Sequence, residues 1–329
     1  KVLRESFPSS TISFLARSYT RDIVEGQAGL DNVILYDNNG REKPFGTVLA
    51  ELRHSNYDAA IVVFPRFRLA LLLWLAGIDT RVGTGYRWYS FLFNSRVYEH
   101  RKTARKHEFE YNLSLLGNLG CKVGAHVVPT MSIVAEAVQG AEAERKRLGL
   151  APGDIVAILH PGSGGSARDW SPAKFRALAV ALDKLGWKVV VTGAKGEESL
   201  VGEVVSGTGG IARASVGMLT LKELAAFIKS ANLFVSNSTG PLHIAAAVGT
   251  PVIGFYPPIV ACSPERWGPV TNRKAIFVPD RSRCSLCKGG PCQGNVCMDQ
   301  IDVQQVVDAA IKLVGKQEET KTTHIPVHQ

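Results

Sequence analysis

No apolar run in this 329-residue chain reaches the roughly 18 residues that a membrane-spanning helix needs. The nearest candidate, Leu69–Ile78, has a length that suits a buried helix. There is no Walker phosphate loop with its lysine, and no GxGxxG dinucleotide fingerprint; both absences count against ATPases and dehydrogenases. No internal repeat appears at any period of about 20–50 residues, so solenoids and propellers are excluded. Acidic residues are scarce between 85 and 107, where Glu99 stands alone. No signal peptide is read at the start, Lys1-Val2-Leu3-Arg4. A reducing, cytoplasmic setting is therefore expected, in which metal binding or free thiols outrank disulfides.

Apolar residues make up 45% of the chain and charged residues 20%. That length and composition fit two domains, each with its own core. The formal charge of +9 points to anionic partners: phosphates, acidic glycolipid or nucleic acid. Short β-rich runs at Thr11–Leu15, Val33–Tyr36 and Ala59–Phe64 alternate with a helical stretch at Phe67–Ala76. The unbroken apolar run Ala59–Phe64 predicts a parallel strand covered on both faces. After a linker at Val123–Met131 and a helix over Ile133–Leu148, a second α/β unit begins with the strand Ile155–Leu159. Its predicted elements are a helix from Ser171-Pro172, a strand Lys188–Thr192 and a helix opened by the capping box Thr220-Leu221-Lys222-Glu223. A strand Leu233–Ser236, a helix Pro241–Val248, a strand Pro251–Tyr256 and a last helix Val303–Val314 follow. The expected fold class is α/β with parallel sheets, and residues 316–329 are expected to be a disordered tail.

Two loops carry the chemistry. In the first, His160-Pro161-Gly162-Ser163-Gly164-Gly165-Ser166-Ala167-Arg168-Asp169-Trp170, the glycines let backbone N–H groups approach phosphate oxygens and Arg168 adds a forked cation. In the second, Ser236-Asn237-Ser238-Thr239-Gly240-Pro241-Leu242-His243, hydroxyls precede a helix N-terminus that favours anions. Either loop alone is open to a plainer reading, as a tight turn or a helix cap. Together, beyond the carboxyl ends of parallel strands, they read as cradles for one diphosphate. His243 is open to two readings, a ligand contact or a packed histidine on an apolar helix.

Two further clusters stand out. Residues 85–107 interleave Tyr86, Trp88, Tyr89, Phe91 and Phe93 with Arg87, Arg96, Arg101, Lys102, Arg105 and Lys106. Such a loop suits a phosphorylated or acidic glycan, or a membrane surface; a solvated basic loop over an aromatic core is the alternative. No nucleic-acid-binding motif accompanies it, so no nucleic-acid partner is expected. Cys284, Cys287, Cys292 and Cys297 are spaced C-x2-C-x4-C-x4-C. They read either as a structural zinc or iron site or as a cysteine-rich loop.

The run LHPGSGGSARDWSPAKF, then VVVTGAKGEE, then LTLKELAAFIKSANLFVSNSTGPLHIAAAVGTPVIGFY resembles the ADP-heptose:lipopolysaccharide heptosyltransferases, glycosyltransferase family 9. The resemblance covers nearly the whole chain. It implies a GT-B fold, an acceptor-side Rossmann-like domain over 1–130 and a donor-side one over 131–315. It also implies inverting transfer that needs no metal cofactor, at the inner face of the cytoplasmic membrane, from an ADP-linked donor to an anionic glycolipid acceptor. Carried over by position, Arg168 stabilises the leaving diphosphate. Gly162, Ser163, Gly164, Gly165, Ser238, Thr239, Gly240 and His243 surround the diphosphate, Glu197 lies near the ribose, and Met218 and Leu219 hold the adenine. Arg87, Arg101 and Lys102 are the acceptor-side candidates.

The chain departs from the family pattern twice. Ser238 stands where heptosyltransferases usually have Asp. The family's Gly-Asp base is expected upstream of Lys1, the Gly-Asp pair here being Gly153-Asp154 in the interdomain turn. The competing expectations are a catalytically inactive nucleotide-sugar-binding relative, another GT-B enzyme such as a nucleotide-sugar epimerase, and a nucleic-acid-binding protein.

Overall fold

A computed structural model of the chain describes residues 1–124, 127–165, 168–280 and 297–322. The chain divides into two compact units, Lys1–Val127 and Val128–Gln329.

The first unit holds short parallel pairings. Ser13–Ala16 lies beside Asn32–Leu35, and Ala59–Ile61, Thr80–Thr84 and Ser95–Val97 form a three-stranded parallel sheet. The strand expected over Ala59–Phe64 stops at Ile61, and Val63 and Phe64 are exposed. Pro65 follows them, and a proline biases the residue before it toward extended or turn backbone rather than a continued covered element. The helix Phe67–Leu75 buries Ala70, Leu72 and Leu73. Asp37-Asn38-Asn39-Gly40 forms the turn of a small hairpin, in which the buried Asp37 carboxylate accepts the N–H groups of Ser18 and Gly40. Those bonds, the Ser18 N–H first, hold the Asp37 carboxyl below the usual range. His107 caps the helix Glu108–Gly117 in a reciprocal box with Glu110.

The second unit is a six-stranded sheet, parallel throughout. In chain order its strands are Val156–His160, Lys188–Gly193, Ala212–Val216, Leu233–Asn237, Val252–Phe255 and Lys274–Phe277. Numbered within the unit, their spatial order is 3-2-1-4-5-6, the doubly wound order of nucleotide-binding sheets. Every residue of Val156–His160 and of Leu233–Asn237 is buried, as a sheet covered by helices on both faces requires. The capping box at Thr220 forms as the sequence predicts, with the hydroxyl accepting Glu223 N–H and the Glu223 carboxylate accepting Thr220 N–H.

In this unit the helix Glu198–Ser206 and the strands Ala212–Val216 and Lys274–Phe277 were not legible in the sequence pattern, nor in the first unit were the helix Phe45–Ser55 and the strands Thr80–Thr84 and Ser95–Val97. The helix Glu198–Ser206 has no Ser, Thr, Asp or Asn at its start, being preceded by Glu197. The two strands of this unit carry Arg213 and Lys274, which break the apolar run. The last helix runs Val303–Thr322, well past the expected end at Val314 and into the stretch expected to be a tail.

The core of this unit gathers Trp170, Phe175, Leu178, Leu182, Val235, Phe255, Met298 and Val306. Phe175 is fully buried, with the rings of Trp170 and Phe255 set edge-on to it at 5.2 and 5.7 Å. Phe175→Ala is expected to destabilise the second unit by about 3–5 kcal/mol, read as an earlier urea transition of this unit's tryptophans.

Candidate functional site

The strand order reverses between Val156–His160 and Leu233–Asn237, the first and fourth strands of the unit. In open α/β sheets ligands bind beyond the carboxyl ends of the strands at this reversal. The two loops singled out in the sequence leave the sheet there, one from each strand.

Their link is Asn237, the last residue of its strand and completely buried. Its amide nitrogen donates to Pro161 O (2.7 Å), and its amide oxygen accepts Trp170 N–H (2.8 Å). The pairing fixes which way the amide faces, since Trp170 N–H needs an acceptor and Pro161 O a donor. One side chain thus holds both ends of the glycine loop. Trp170 anchors the far end from below: it is fully buried, 4.3 Å from the ring of Phe255, and its indole N–H donates to Ile301 O.

Within the loop, Gly164 and Gly165 lie in the left-handed region (φ 59° and 76°), which glycine enters at little cost. Gly162 is required for a different reason. A Cβ there would fall within 2.6 Å of Glu197 Cδ, because the Glu197 carboxylate packs directly against it. Glu197 is held in place by Ala194 N–H, 2.7 Å from Oε2. Ser163 is buried and donates its hydroxyl to Asp169 Oδ2 (3.1 Å). Burial pushes the Asp169 carboxyl up to about 6, against the lowering effect of the Ser163 hydroxyl and with a further rise from Glu197. Below them His160, paired with Thr192 Oγ1 at 3.0 Å, is driven by burial down to about 4 and stays neutral at physiological pH.

The other predicted donor-side residues lie at the same sheet edge. Ser238 N–H donates to Phe255 O, and Ser238 and Thr239 are half-buried. Thr239 stands at the N-cap of the helix Gly240–Ala247 without using its hydroxyl as the cap. His243 is half-buried on that helix, so it is not one of its packed core positions. Met218 and Leu219 follow the strand Ala212–Val216, with Met218 exposed. Gly217, just before them, donates its N–H to Gly193 O, next to the Glu197 loop. Sequence reasoning placed Asn237, Asp169 and Trp170 within the two loops but gave them no role. Their signal was polar or aromatic residues at the ends of a buried strand and of a glycine loop. Gly153-Asp154 lies before the strand Val156–His160, at the opposite end of the sheet, and Asp154 Oδ2 is taken by Ala151 N–H.

In the first unit, Arg87 is exposed beside the exposed rings of Tyr86 and Trp88, with Trp88 stacked on Phe67 at 4.9 Å. Arg101 is engaged within the unit: its guanidinium is ion-paired with Glu108, donates to Asn112 Oδ1 (3.1 Å) and packs over the Tyr111 ring. The side chain of Lys102 lies outside the described part, as do Cys284, Cys287 and Cys292. Cys297 is completely buried in the core of the second unit. Among the described residues no group of three His, Cys, Asp or Glu is placed to hold a metal. Also among the described residues, no helix is long and apolar enough to cross a membrane.

The family model described as "Glycosyltransferase family 9 (heptosyltransferase)" matches residues 46–295. The chain belongs to this family. A Haemophilus influenzae protein assigned as a glycosyltransferase is 29% identical over 278 residues, covering 82% of this chain and 80% of that one. The solved structure of the glycosyl transferase family 9 protein from Veillonella parvula is similar with a TM-score of 0.83 at 23% identity, covering 96% of this chain and 91% of that chain. That of the Escherichia coli ADP-heptose LPS heptosyltransferase II is similar with a TM-score of 0.77 at 20% identity, covering 96% and 93%. The fold is thus the GT-B fold of family 9, and the protein is a glycosyltransferase.

Asn237→Ala leaves Pro161 O and Trp170 N–H buried and unpaired. The expected loss is about 2–4 kcal/mol, about 1–3 for each orphaned group with some relaxation. It is expected as a lower unfolding midpoint together with rapid amide exchange at Trp170, which wild type protects.

Proposed function

We propose that this glycosyltransferase moves a sugar from an ADP-linked donor, with ADP-heptose the expected one, onto a lipopolysaccharide core or related envelope glycan. The observation that carries the reading is the pair of anion-binding loops flanking the strand reversal and tied together by Asn237. Family membership and the ADP-heptose named for the similar Escherichia coli enzyme support it.

The reaction is an inverting displacement without a metal cofactor. An acceptor hydroxyl attacks the anomeric carbon from the face opposite the diphosphate and gives its proton to a general base, while the bond to ADP breaks and negative charge grows on the departing ADP. Preorganised donors aimed at that charge lower the barrier. Here they are the backbone of Gly162–Gly165, the Arg168 guanidinium, and the hydroxyls and helix N-terminus at Ser238, Thr239 and Gly240. Glu197 faces the ribose, and the backbone at Met218 and Leu219 faces the adenine. No proton-abstracting role is assigned to a residue of this chain. Gly153-Asp154 is at the wrong end of the sheet for it. The acceptor side is assigned to the exposed Arg87 with the neighbouring Trp88, and the basic loop gives peripheral contact with an anionic membrane surface.

Calorimetric titration with ADP and with UDP tests the donor site. ADP is expected to bind more tightly, and Arg168→Ala to weaken it by about 10–100-fold, the equivalent of about 1.5–3 kcal/mol for a charge-assisted hydrogen bond. Preference for UDP removes ADP-heptose as donor. ADP binding without transfer from ADP-heptose to heptose-deficient lipopolysaccharide identifies a nucleotide-sugar-binding relative instead.

A further inference from the structure

Asp169 sits inside the glycine loop in an arrangement that the transfer reaction does not itself call for. Its Oδ2 accepts the Ser163 hydroxyl, while Oδ1 is buried without a hydrogen-bond partner among the described residues. A second carboxylate, Glu197, faces the same loop from the turn after Lys188–Gly193, pressed against Gly162. From the strand below, His160 is neutral and paired with Thr192. From the neighbouring strand, Asn237 presents a neutral amide that is occupied on both sides. Arg168 is the charged residue adjacent in the chain. A buried carboxyl close to another carboxylate, with an unpaired oxygen, is poised between its two protonation states.

The two states offer Ser163 differently. As a carboxylate, Asp169 can only accept, so it draws the Ser163 hydroxyl proton toward itself. As a neutral acid it donates to Ser163 Oγ, and the Ser163 proton is released for another acceptor.

We propose that Asp169 is a positioning residue whose proton sets the direction of the Ser163 hydroxyl, so that a diphosphate enters the glycine loop together with a proton. The proposal rests on the donor-site reading above. An anion held by this loop favours the neutral acid and is favoured by the freed Ser163 hydroxyl, so the two events reinforce each other. The free carboxyl titrates at about 6, and a bound diphosphate raises it further. Affinity therefore increases as pH falls from above the bound value toward about 6, and levels off below.

The experiment is calorimetric titration of the full chain with ADP at about pH 7.5, in two buffers of different ionisation enthalpy. A terminal phosphate, with a second pKa of about 6, is then mostly ionised. Wild type is expected to take up about half a proton or more per ADP. Asp169→Asn, whose amide donates to Ser163 as the neutral acid does, is expected to bind ADP without that uptake. Relative to wild type it binds about 25-fold more tightly at pH 8, the consequence of a shift of about 1.5 pKa units, and within about twofold at pH 6. Titration of ADP itself is common to both proteins and cancels in the ratio. Uptake unchanged in Asp169→Asn overturns the proposal and leaves the donor site standing. So does a wild-type count of zero, a result that needs no folded variant. Failure of wild type to bind ADP overturns the donor-site reading and this proposal with it.

Discussion

One buried amide holds the site together. Asn237 closes the glycine loop at both ends and itself lies at the start of the second loop. Each of its bonds joins groups that would otherwise be buried and unpaired, where an orphaned partner costs more than the bond itself contributes. The strand reversal makes this geometry possible. Only where the first and fourth strands of the unit lie side by side can a residue ending one strand reach the loop leaving the other. The fold therefore supplies the juxtaposition, and Asn237 converts it into a fixed distance.

The electrostatics of the loop are less simple than those of a plain anion cradle. In the proposed reading, backbone N–H groups, Arg168 and a helix N-terminus receive a diphosphate, yet Asp169 stands on the same loop and Glu197 packs against it. Glu197 serves the local structure by receiving Ala194 N–H and filling the space that Gly162 leaves. Asp169 serves Ser163. Both carboxylates have protein donors in place, which reduces but does not cancel their repulsion of a bound anion. Burial favours the neutral form of Asp169.

Much of this was legible in the sequence, and the failures have physical causes. Gly162, Gly164 and Gly165 after an apolar strand, and Ser-Thr-Gly-Pro before an apolar helix, announce themselves because backbone conformation restricts which residues fit. The capping box at Thr220 is equally local. Asn237 and Trp170 were not read as site residues because their role depends on a partner about 70 residues away, which no local pattern encodes. Arg213 and Lys274 hid two strands because long basic side chains carry their charge to the surface while their stems cover apolar neighbours. The early end of Ala59–Ile61 reflects the same limit: an apolar run marks burial or a ligand-facing surface equally well.

That ambiguity bears on the first unit. Val63, Phe64, Tyr86, Trp88 and Tyr98 are exposed and follow the carboxyl ends of its three parallel strands. Exposed rings are costly to leave in water, and there the rings are partly compensated by one another, as in the stacks of Trp88 on Phe67 and Tyr86 on His100. Arg101 reads in the sequence as one more presented cation, and in the structure Glu108, Asn112 and Tyr111 engage it. Its fork ties the loop after Ser95–Val97 to the helix Glu108–Gly117, and so keeps that part of the rim in shape. The distinction between Arg87 and Arg101 is therefore one of partners rather than of charge. A cation whose hydrogen bonds are satisfied inside the protein builds the surface, whereas Arg87 stands exposed beside the unburied rings of Tyr86 and Trp88.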